Sequence, residues 1–175
     1  MDIIWYLLKC PKGNEADYIK ECKKLANLED EVVQEVICFQ YLQMLRYGGD
    51  WHLKRRMLLP GHIFLSGTEK VMDKYGNGEW NKKNAYSGKA ETQSVLLTLC
   101  HRPYLKEICP EGDVIAMSKG IIRNGRLIVI SGPLKGREQL IRKVDRHKRT
   151  AQIEVPFETR KMMATIGLEI YQKQI

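Results

Sequence analysis

Thiol and imidazole side chains adjoin at Cys100 and His101, and Cys109 follows a short distance along the chain. These are the groups that nucleophilic catalysis and zinc binding both use. Their spacing fits no standard zinc site, and no fourth ligand stands at an expected offset. The chain also lacks a Walker loop, an HExxH motif and a GxSxG motif. We therefore predict structural packing for these cysteines, with no enzyme activity, no metal and no cofactor.

A second concentration of functional side chains is cationic. Six Lys or Arg residues fall between Arg137 and Arg149, against only Glu138 and Asp145. Several cations displayed at one turn bind phosphates, and counterion release makes such binding steeply salt-dependent. Arginine also stacks on unpaired bases, so an RNA loop or bulge suits the cluster better than plain duplex DNA. The predicted RNA-binding residues are Arg123, Lys135, Arg137, Arg142, Lys143, Arg146, His147, Lys148 and Arg149.

β-Branched runs separated by turn residues must position this cluster. The predicted strands are 126–131, 137–145 and 150–157, broken by Gly132-Pro133 and by the polar tip 146–149. Their short connections predict antiparallel neighbours in a small twisted β-barrel. Gly132 and Gly136 are expected to take positive φ at the first turn. Segment 161–166 is expected to close the barrel and 168–171 to pack back over it.

The first part of the chain predicts an α+β arrangement, with a helix on one face of an antiparallel sheet. A strand at 3–9 precedes a helix capped by Asn14, and a hairpin of 32–45 and 51–59 has Gly48-Gly49 at its tip. Further along, the pattern predicts a strand at 62–66, a helix at 68–75, a loop at 76–89, helices at 92–100 and 102–109, and a strand at 113–118.

The positive charge is concentrated in the C-terminal third of the chain. Of a net charge of +8 over 175 residues, +7 comes from 120–175, which holds twelve Lys or Arg and five Asp or Glu. This asymmetry favours a polyanionic partner, nucleic acid before membrane, because no apolar stripe accompanies the charge. The alternative is that the charge serves only solubility. A length of this order gives one or two domains with a real core.

The cysteines and the opening residues bear on location. The five cysteines are odd in number and contain no CxxC pair, which favours reduced thiols in a cytosol. The opening apolar run is short and begins with Asp2, so it predicts neither a signal peptide nor a membrane span. We expect a soluble, cytoplasmic, monomeric protein without a membrane partner.

Two parts of the sequence resemble the NusG family of transcription factors. The stretch G-R-L-I-V-I-S-G-P-L-K-G at 125–136, followed by a basic hairpin, resembles the KOW motif, with Gln139 where a second glycine often stands. Trp5-Tyr6 and the stretch L-L-P-G-H-I-F-L at 58–65 resemble the W-Y and F-P-G-Y-V-x-V signatures of the NusG N-terminal domain. In the second stretch, Leu59 replaces the usual phenylalanine and His62 replaces the usual aromatic residue.

The resemblance implies a two-domain architecture. It would consist of a NusG N-terminal-like, polymerase-binding domain at 1–114, a linker at 115–122, and an SH3-like KOW β-barrel at 123–175. In that family the N-terminal signatures form an apolar patch that grips the clamp helices of the largest RNA polymerase subunit. The positions that carry over are Trp5, Tyr6, Leu59, Pro60, His62 and Phe64. Strand alternation predicts that about half of them point inward.

Segment 132–154 resembles the LoaP branch of the family, whose members are specialised antiterminators. This implies a polymerase-bound factor that recognises an RNA hairpin in the nascent leader transcript through its KOW domain. One alternative is a general NusG-type factor that bridges polymerase to Rho or a ribosomal protein. Others are a ribosome-associated KOW protein and, more distantly, a thiol enzyme.

A cationic triplet, Lys54-Arg55-Arg56, lies in the second arm of the predicted hairpin. Three consecutive cations cannot all face a core, so part of the triplet must be solvated. It is expected either to contact upstream DNA near the polymerase or to protect an edge strand from aggregation.

Overall fold

The computed structural model describes residues 4–28, 33–68, 98–100, 102–157 and 161–174. These residues form several β-sheets and two helices, which is compatible with the predicted α+β class. The helices are α1 (Glu15–Leu28) and α2 (Arg102–Ile108). The strands are β1 (Ile4–Lys9), β2 (Val33–Ile37), β3 (Gln40–Tyr47), β4 (Asp50–Met57), β5 (His62–Gly67), β6 (Thr98–Cys100), β7 (Val114–Ile115), β8 (Ser118–Arg123), β9 (Arg126–Ser131), β10 (Ile141–Asp145), β11 (Thr150–Pro156) and β12 (Lys161–Gln174).

The chain divides into two compact units that are not continuous in sequence. Unit 1 comprises Met1–Cys38, Leu59–His101 and Phe157–Thr159, and unit 2 comprises Phe39–Leu58, Arg102–Pro156 and Arg160–Ile175. The division thus differs from the predicted boundary between 1–114 and 123–175. The hairpin and helix α2, both predicted for the first domain, belong to unit 2 with the basic strands.

Unit 1 is built on a four-stranded sheet in the order β2-β5-β1-β6. The central pair is antiparallel, with Trp5 opposite Ser66 and Leu7 opposite Phe64. The apolar runs of β1 and β5 are buried on both faces of this sheet, because a continuous apolar run cannot expose either face cheaply. The predicted helix 92–100 is wrong at its end, since Thr98–Cys100 is strand β6, paired antiparallel with β1.

Helix α1 begins at Glu15, directly after Asn14, whose carbonyl accepts the first helical hydrogen bond from the Tyr18 amide at 3.1 Å. Glu15 is almost fully buried and uses both carboxylate oxygens. They accept hydrogen bonds from the Gly61 amide at 2.7 Å and the Gly13 amide at 2.8 Å. One buried carboxylate therefore fastens the loop after β1 and the turn before β5 to the helix start.

Unit 2 contains a five-stranded sheet in the order β10-β11-β12-β8-β9. Strands β9 and β11 were predicted almost as they occur, but β9 pairs with β8 and not with the next strand along the chain. The predicted strand 137–145 begins instead with a 3₁₀ turn, Glu138–Leu140. There the Glu138 carboxylate accepts a hydrogen bond from the Val129 amide at 3.0 Å, which holds the turn against β9.

Two further predictions for unit 2 are corrected. The predicted linker 115–122 contains most of β8, which pairs with both β9 and β12. The two closing segments 161–166 and 168–171 form one long strand, β12. Its first half pairs antiparallel with β11 and its second half parallel with β8, with a register shift between Ile170 and Gln172. Such a shift bends a strand and lets it serve two neighbours.

The hairpin β3–β4 joins β7 in a three-stranded sheet of unit 2, with β4 at its edge. Gly48 and Gly49 form the two-residue turn at the hairpin tip, where the sequence predicted them, and have φ of 61° and 91°. Gly132 and Gly136 also have the predicted positive φ, 92° and 73°. The predicted loop 76–89, and the predicted helix 68–75 except for Thr68, lie outside the described residues.

Candidate nucleic-acid interface

The turn between β10 and β11 presents the basic tip. The Asp145 carboxylate accepts a hydrogen bond from the Lys148 amide at 2.9 Å, which closes the turn. That bond, with a smaller contribution from the Lys148 charge, lowers the pKa of Asp145. At the end of the turn Arg149 has a φ of 52°, an unusual conformation for a non-glycine residue. Asp145 therefore stabilises the turn, in addition to placing one negative charge among its cations.

Within unit 2, one contact holds this turn against the hairpin and another brings β12 close to it. The buried side chain of Gln43, in β3, donates a hydrogen bond to the Lys148 carbonyl oxygen at 3.0 Å. The backbone of β12 at Gly167 approaches the Leu42 carbonyl so closely that a Cβ atom there would collide with it. Glycine is thus required at 167 by the close approach of two backbones.

Arg149 faces inward, onto the hairpin. Its guanidinium carbon lies 3.3 Å from the ring centroid of Trp51, and its Nη1 atom lies 2.7 Å from a carboxylate oxygen of Glu169. The Arg149 side chain is 23% exposed. The guanidinium therefore stacks on an indole while a carboxylate offsets its charge.

An open groove of about 870 Å³ runs beside this stack. Residues of β10 and of the turn line it, together with Trp51 and Ile170. Strand pairing sets Arg46 directly opposite Trp51, so the two side chains share one face of the hairpin. The cationic and imidazole side chains that line the groove are Arg46, Lys143, Arg146, His147 and Arg149. Asp145 is the acidic residue among the groove's lining.

The structure brings together four of the nine predicted RNA-binding residues in this groove. Lys143, Arg146 and His147 are exposed, and within the described part of the chain no carboxylate forms an ion pair with Lys143 or Arg146. Lys148 sits in the same turn, 4.0 Å from an Asp145 oxygen. Among the described residues, the groove is thus lined both by cations without a carboxylate partner, Lys143 and Arg146, and by Arg149, which has one.

The other predicted cations lie elsewhere on unit 2. Arg142 is 3.3 Å from Glu154, which also binds Lys161 at 2.7 Å, and these cations lower the pKa of Glu154, Lys161 the most. Arg137 is 3.6 Å from Glu107 in α2. A smaller depression of about 440 Å³ is lined by Arg126, Arg142 and Lys143 among others. Lys135 and Arg123 are exposed but line neither depression.

The triplet Lys54, Arg55 and Arg56 is exposed along the edge strand β4. Near the tip of the same hairpin, Tyr47 and His52 stack with centroids 3.7 Å apart, and the Lys54 ammonium is 5.6 Å from the Tyr47 ring. Exposed cations along an unpaired edge strand disfavour its association with the strands of other molecules. The DNA-binding alternative stays a prediction.

Most of the residues predicted to bind polymerase are buried. Trp5, Tyr6, Leu59 and Phe64 are each less than a tenth exposed, with Phe64 at 1%. Pro60 is exposed and His62 is half-buried, at the turn that leads into β5. Four of the six predicted residues are therefore buried, more than the half that strand alternation predicted, because β1 and β5 are covered on both faces.

Four cysteines, Cys10, Cys22, Cys38 and Cys109, are buried free thiols. Cys22 is fully buried, and burial raises its pKa to about 12. Burial and the Glu15 charge raise the pKa of Cys10 to about 11. The Cys109 thiol contacts the carbonyl oxygens of Glu111 and Gly112. Among the described residues no group of His, Cys, Asp and Glu is placed to hold a metal ion, and no described helix is long and apolar enough to cross a bilayer.

Comparison with known proteins adds no assignment. No protein-family model matches the chain, and no curated protein matches it. The residues that sequence reasoning missed are Arg46 and Trp51, which stand on either side of the glycine turn. An aromatic and a cation flanking an exposed hairpin tip were a usable signal, but their proximity to the basic turn was not visible in the sequence.

Proposed function

We propose that this chain binds RNA through the groove that unit 2 forms between the turn 145–150 and the hairpin β3–β4. The observation that carries the proposal is the joint lining of that groove by Lys143, Arg146 and the partly exposed indole of Trp51. Cations bind the phosphates of a folded strand, and a flat ring contacts bases. Neither feature alone identifies a nucleic acid, but the two together suit one.

RNA suits the groove better than duplex DNA. Sequence-specific contacts to RNA are made mainly at unpaired bases in loops and bulges, which aromatic rings and arginine planes can stack against. Reading duplex DNA requires a helix or a β-ribbon that enters the major groove with side chains directed at base edges. Here the turn is held against the hairpin by Gln43 and Trp51, and Lys143, Arg146, His147 and Arg149 together line one groove beside it.

We further propose that the RNA is a nascent transcript and that the chain is an antitermination factor of the NusG type. The KOW resemblance of 125–136 supports this, together with the positive φ of Gly132 and Gly136 at the positions where that motif turns. Under the same proposal the N-terminal part of the chain holds the clamp helices of RNA polymerase. Because Trp5, Tyr6, Leu59 and Phe64 are buried, Pro60 and His62 are the two carried-over positions whose side chains reach the surface.

RNA binding is tested by gel-shift titration of the full chain against structured leader RNAs and against duplex DNA of matching sequence, at several salt concentrations. The proposal predicts salt-dependent binding that is stronger for structured RNA. Arg146→Gln should weaken it, whereas Lys20→Gln, an exposed cation in α1, should leave it unchanged. Equal affinity of the wild-type protein and Arg146→Gln would exclude the groove as the binding site.

The transcription role is tested by affinity purification of the tagged full chain from cell extract. Recovery of RNA polymerase supports a NusG-type factor, whereas recovery of ribosomal subunits without polymerase supports the ribosome-associated alternative. A general factor that bridges polymerase to protein partners would recover polymerase but show no preference for structured RNA in the gel shift.

A further inference from the structure

The stack of Arg149 on Trp51 has features beyond those of a simple phosphate contact. Arg149 covers one face of the indole at 3.3 Å, yet Trp51 remains 40% exposed and lines the groove. The indole therefore presents apolar surface at the groove that a bound partner can cover. The backbone of Arg149 is also in the left-handed region, at a φ of 52°. Strained backbone of this kind clusters at binding sites, where surrounding contacts hold it.

The charges around the stack separate two tasks. Glu169 lies 2.7 Å from Arg149 and offsets its charge, so this guanidinium is poorly suited to attract a phosphate. Lys143 and Arg146, which line the same groove, have no such partner among the described carboxylates. A flat, nearly neutral platform is thus flanked by uncompensated cations. A nucleotide extruded from a helix presents the matching pair of features, a planar base and a charged backbone.

We propose that the groove receives one unpaired nucleobase, which stacks on the exposed surface of Trp51 while Lys143 and Arg146 bind the neighbouring phosphates. This inference rests on the proposed RNA binding and specifies its substrate, namely RNA with a bulged or looped-out base. Trp51 is then the residue that selects such RNA over a fully paired duplex. Arg149 positions the indole by covering its other face, and Glu169 holds Arg149 there.

The test compares two RNAs with the full-length protein. One is a fully paired duplex, and the other is the same duplex with a single unpaired 2-aminopurine, whose fluorescence falls when it stacks. Stacking of one base on an aromatic side chain strengthens binding by about tenfold or more. We therefore expect about tenfold tighter binding of the bulged RNA and quenching of its fluorescence when the protein is added.

Substitutions at Trp51 test whether the indole causes the preference for the bulged RNA over the paired duplex. Trp51→Ala should reduce the preference to about onefold while leaving the affinity for the paired duplex nearly unchanged, and Trp51→Phe should keep part of it. Leu53→Ala is the matched control, because Leu53 is exposed on the same strand and does not line the groove. Equal binding of the two RNAs, with ordinary salt dependence, would overturn this inference but not the proposed function. An unchanged preference in Trp51→Ala would do the same. Salt-dependent binding of neither RNA would overturn the proposed function and this inference with it.

Discussion

The side-chain amide of Gln43 donates a hydrogen bond to the carbonyl oxygen of Lys148, although the two residues are 105 positions apart in the chain. Gln43 is buried, so its side-chain amide needs a hydrogen-bond partner within the protein, and the Lys148 carbonyl oxygen supplies one. The bond joins the hairpin β3–β4 to the basic turn inside unit 2. It makes the shape of the proposed RNA-binding groove depend on a residue that sequence reasoning did not single out.

Removal of this bond should loosen the turn. We expect Gln43→Ala to lower the free energy of unfolding by about 1 kcal/mol, since the hydrogen bond of a buried side chain is lost. RNA affinity should fall too, because the cations of the turn are no longer held at one geometry. Urea denaturation and gel shift measure the two effects. Gln34→Ala, at an exposed position of β2, should change neither, and an equal effect of the two variants would contradict the assignment.

Replacing Gly167 should destabilise the protein for a reason that the sequence does not reveal. A Cβ atom at this position would collide with the Leu42 carbonyl, so Gly167→Ala must push β12 and β3 apart. We expect a loss of about 3 kcal/mol, at the upper end for overpacked sites. The comparison is Gly136→Ala, where φ is 73° but no atom lies within 4 Å. There the backbone cost of about 1 kcal/mol acts alone. Thermal or urea unfolding that ranks the two variants in reverse would refute the close approach.

Under the proposed function, neutralising Glu169 should raise the affinity of the protein for RNA. Glu169→Gln removes the charge that offsets Arg149 while keeping a side chain of the same shape, so one more cation becomes available to phosphates. The slope of log K against log salt should then steepen by about 0.7–0.9, the contribution of one phosphate contact. Glu111→Gln changes the net charge equally at an exposed site and is the control. A slope that steepens equally in both variants would show a general charge effect and not a local one.

Acid should weaken unit 1 through Glu15. Burial would raise the pKa of this carboxyl, but the amides of Gly61 and Gly13 outweigh it, so the pKa lies below its usual value. A carboxylate whose pKa falls on folding contributes stability above the unfolded pKa, about 4.3, and this contribution disappears as the pH falls through the folded pKa. Glu15→Gln should therefore destabilise the protein at pH 7, and the difference from wild type should shrink below about pH 4. Denaturation across pH checks this, with Glu21→Gln in the exposed pair with Lys24 as the control. A difference that stayed constant down to low pH would contradict it.

Local patterns of the sequence predicted local structure well. The limits of β9, the turn at Gly48-Gly49, the start of α1 and the glycines of positive φ follow from alternation and turn chemistry, and all were found. Pairing between distant segments was not predictable in the same way. The single apolar run 32–45 splits after Ile37 because β2 pairs with β5 while β3 pairs with β4, and nothing in the run itself marks that change of partner.

The candidate site shows the same division. The sequence located the cationic turn, but not which cations are offset by carboxylates on other strands. Arg149 and Glu169 are adjacent only because β11 and β12 pair in one register, with Thr150 opposite Gly167. Trp51 and Arg46 joined the site through the same kind of long-range packing. The buried positions of Trp5 and Phe64 likewise depend on the sheet being covered on both faces, which alternation alone does not reveal.

The salt dependence of RNA binding tests the central claim most directly. Log K should be measured by gel shift against log salt for the full-length protein and for the double variant Lys143→Gln with Arg146→Gln, on one structured RNA. These two cations line the groove without a described carboxylate partner, so their removal should flatten the slope by about 1.5. The exposed pair Lys20→Gln with Lys23→Gln, in α1, should leave the slope at its wild-type value. A slope that does not change in the groove variant, or that flattens equally in the α1 variant, would contradict RNA binding at this groove.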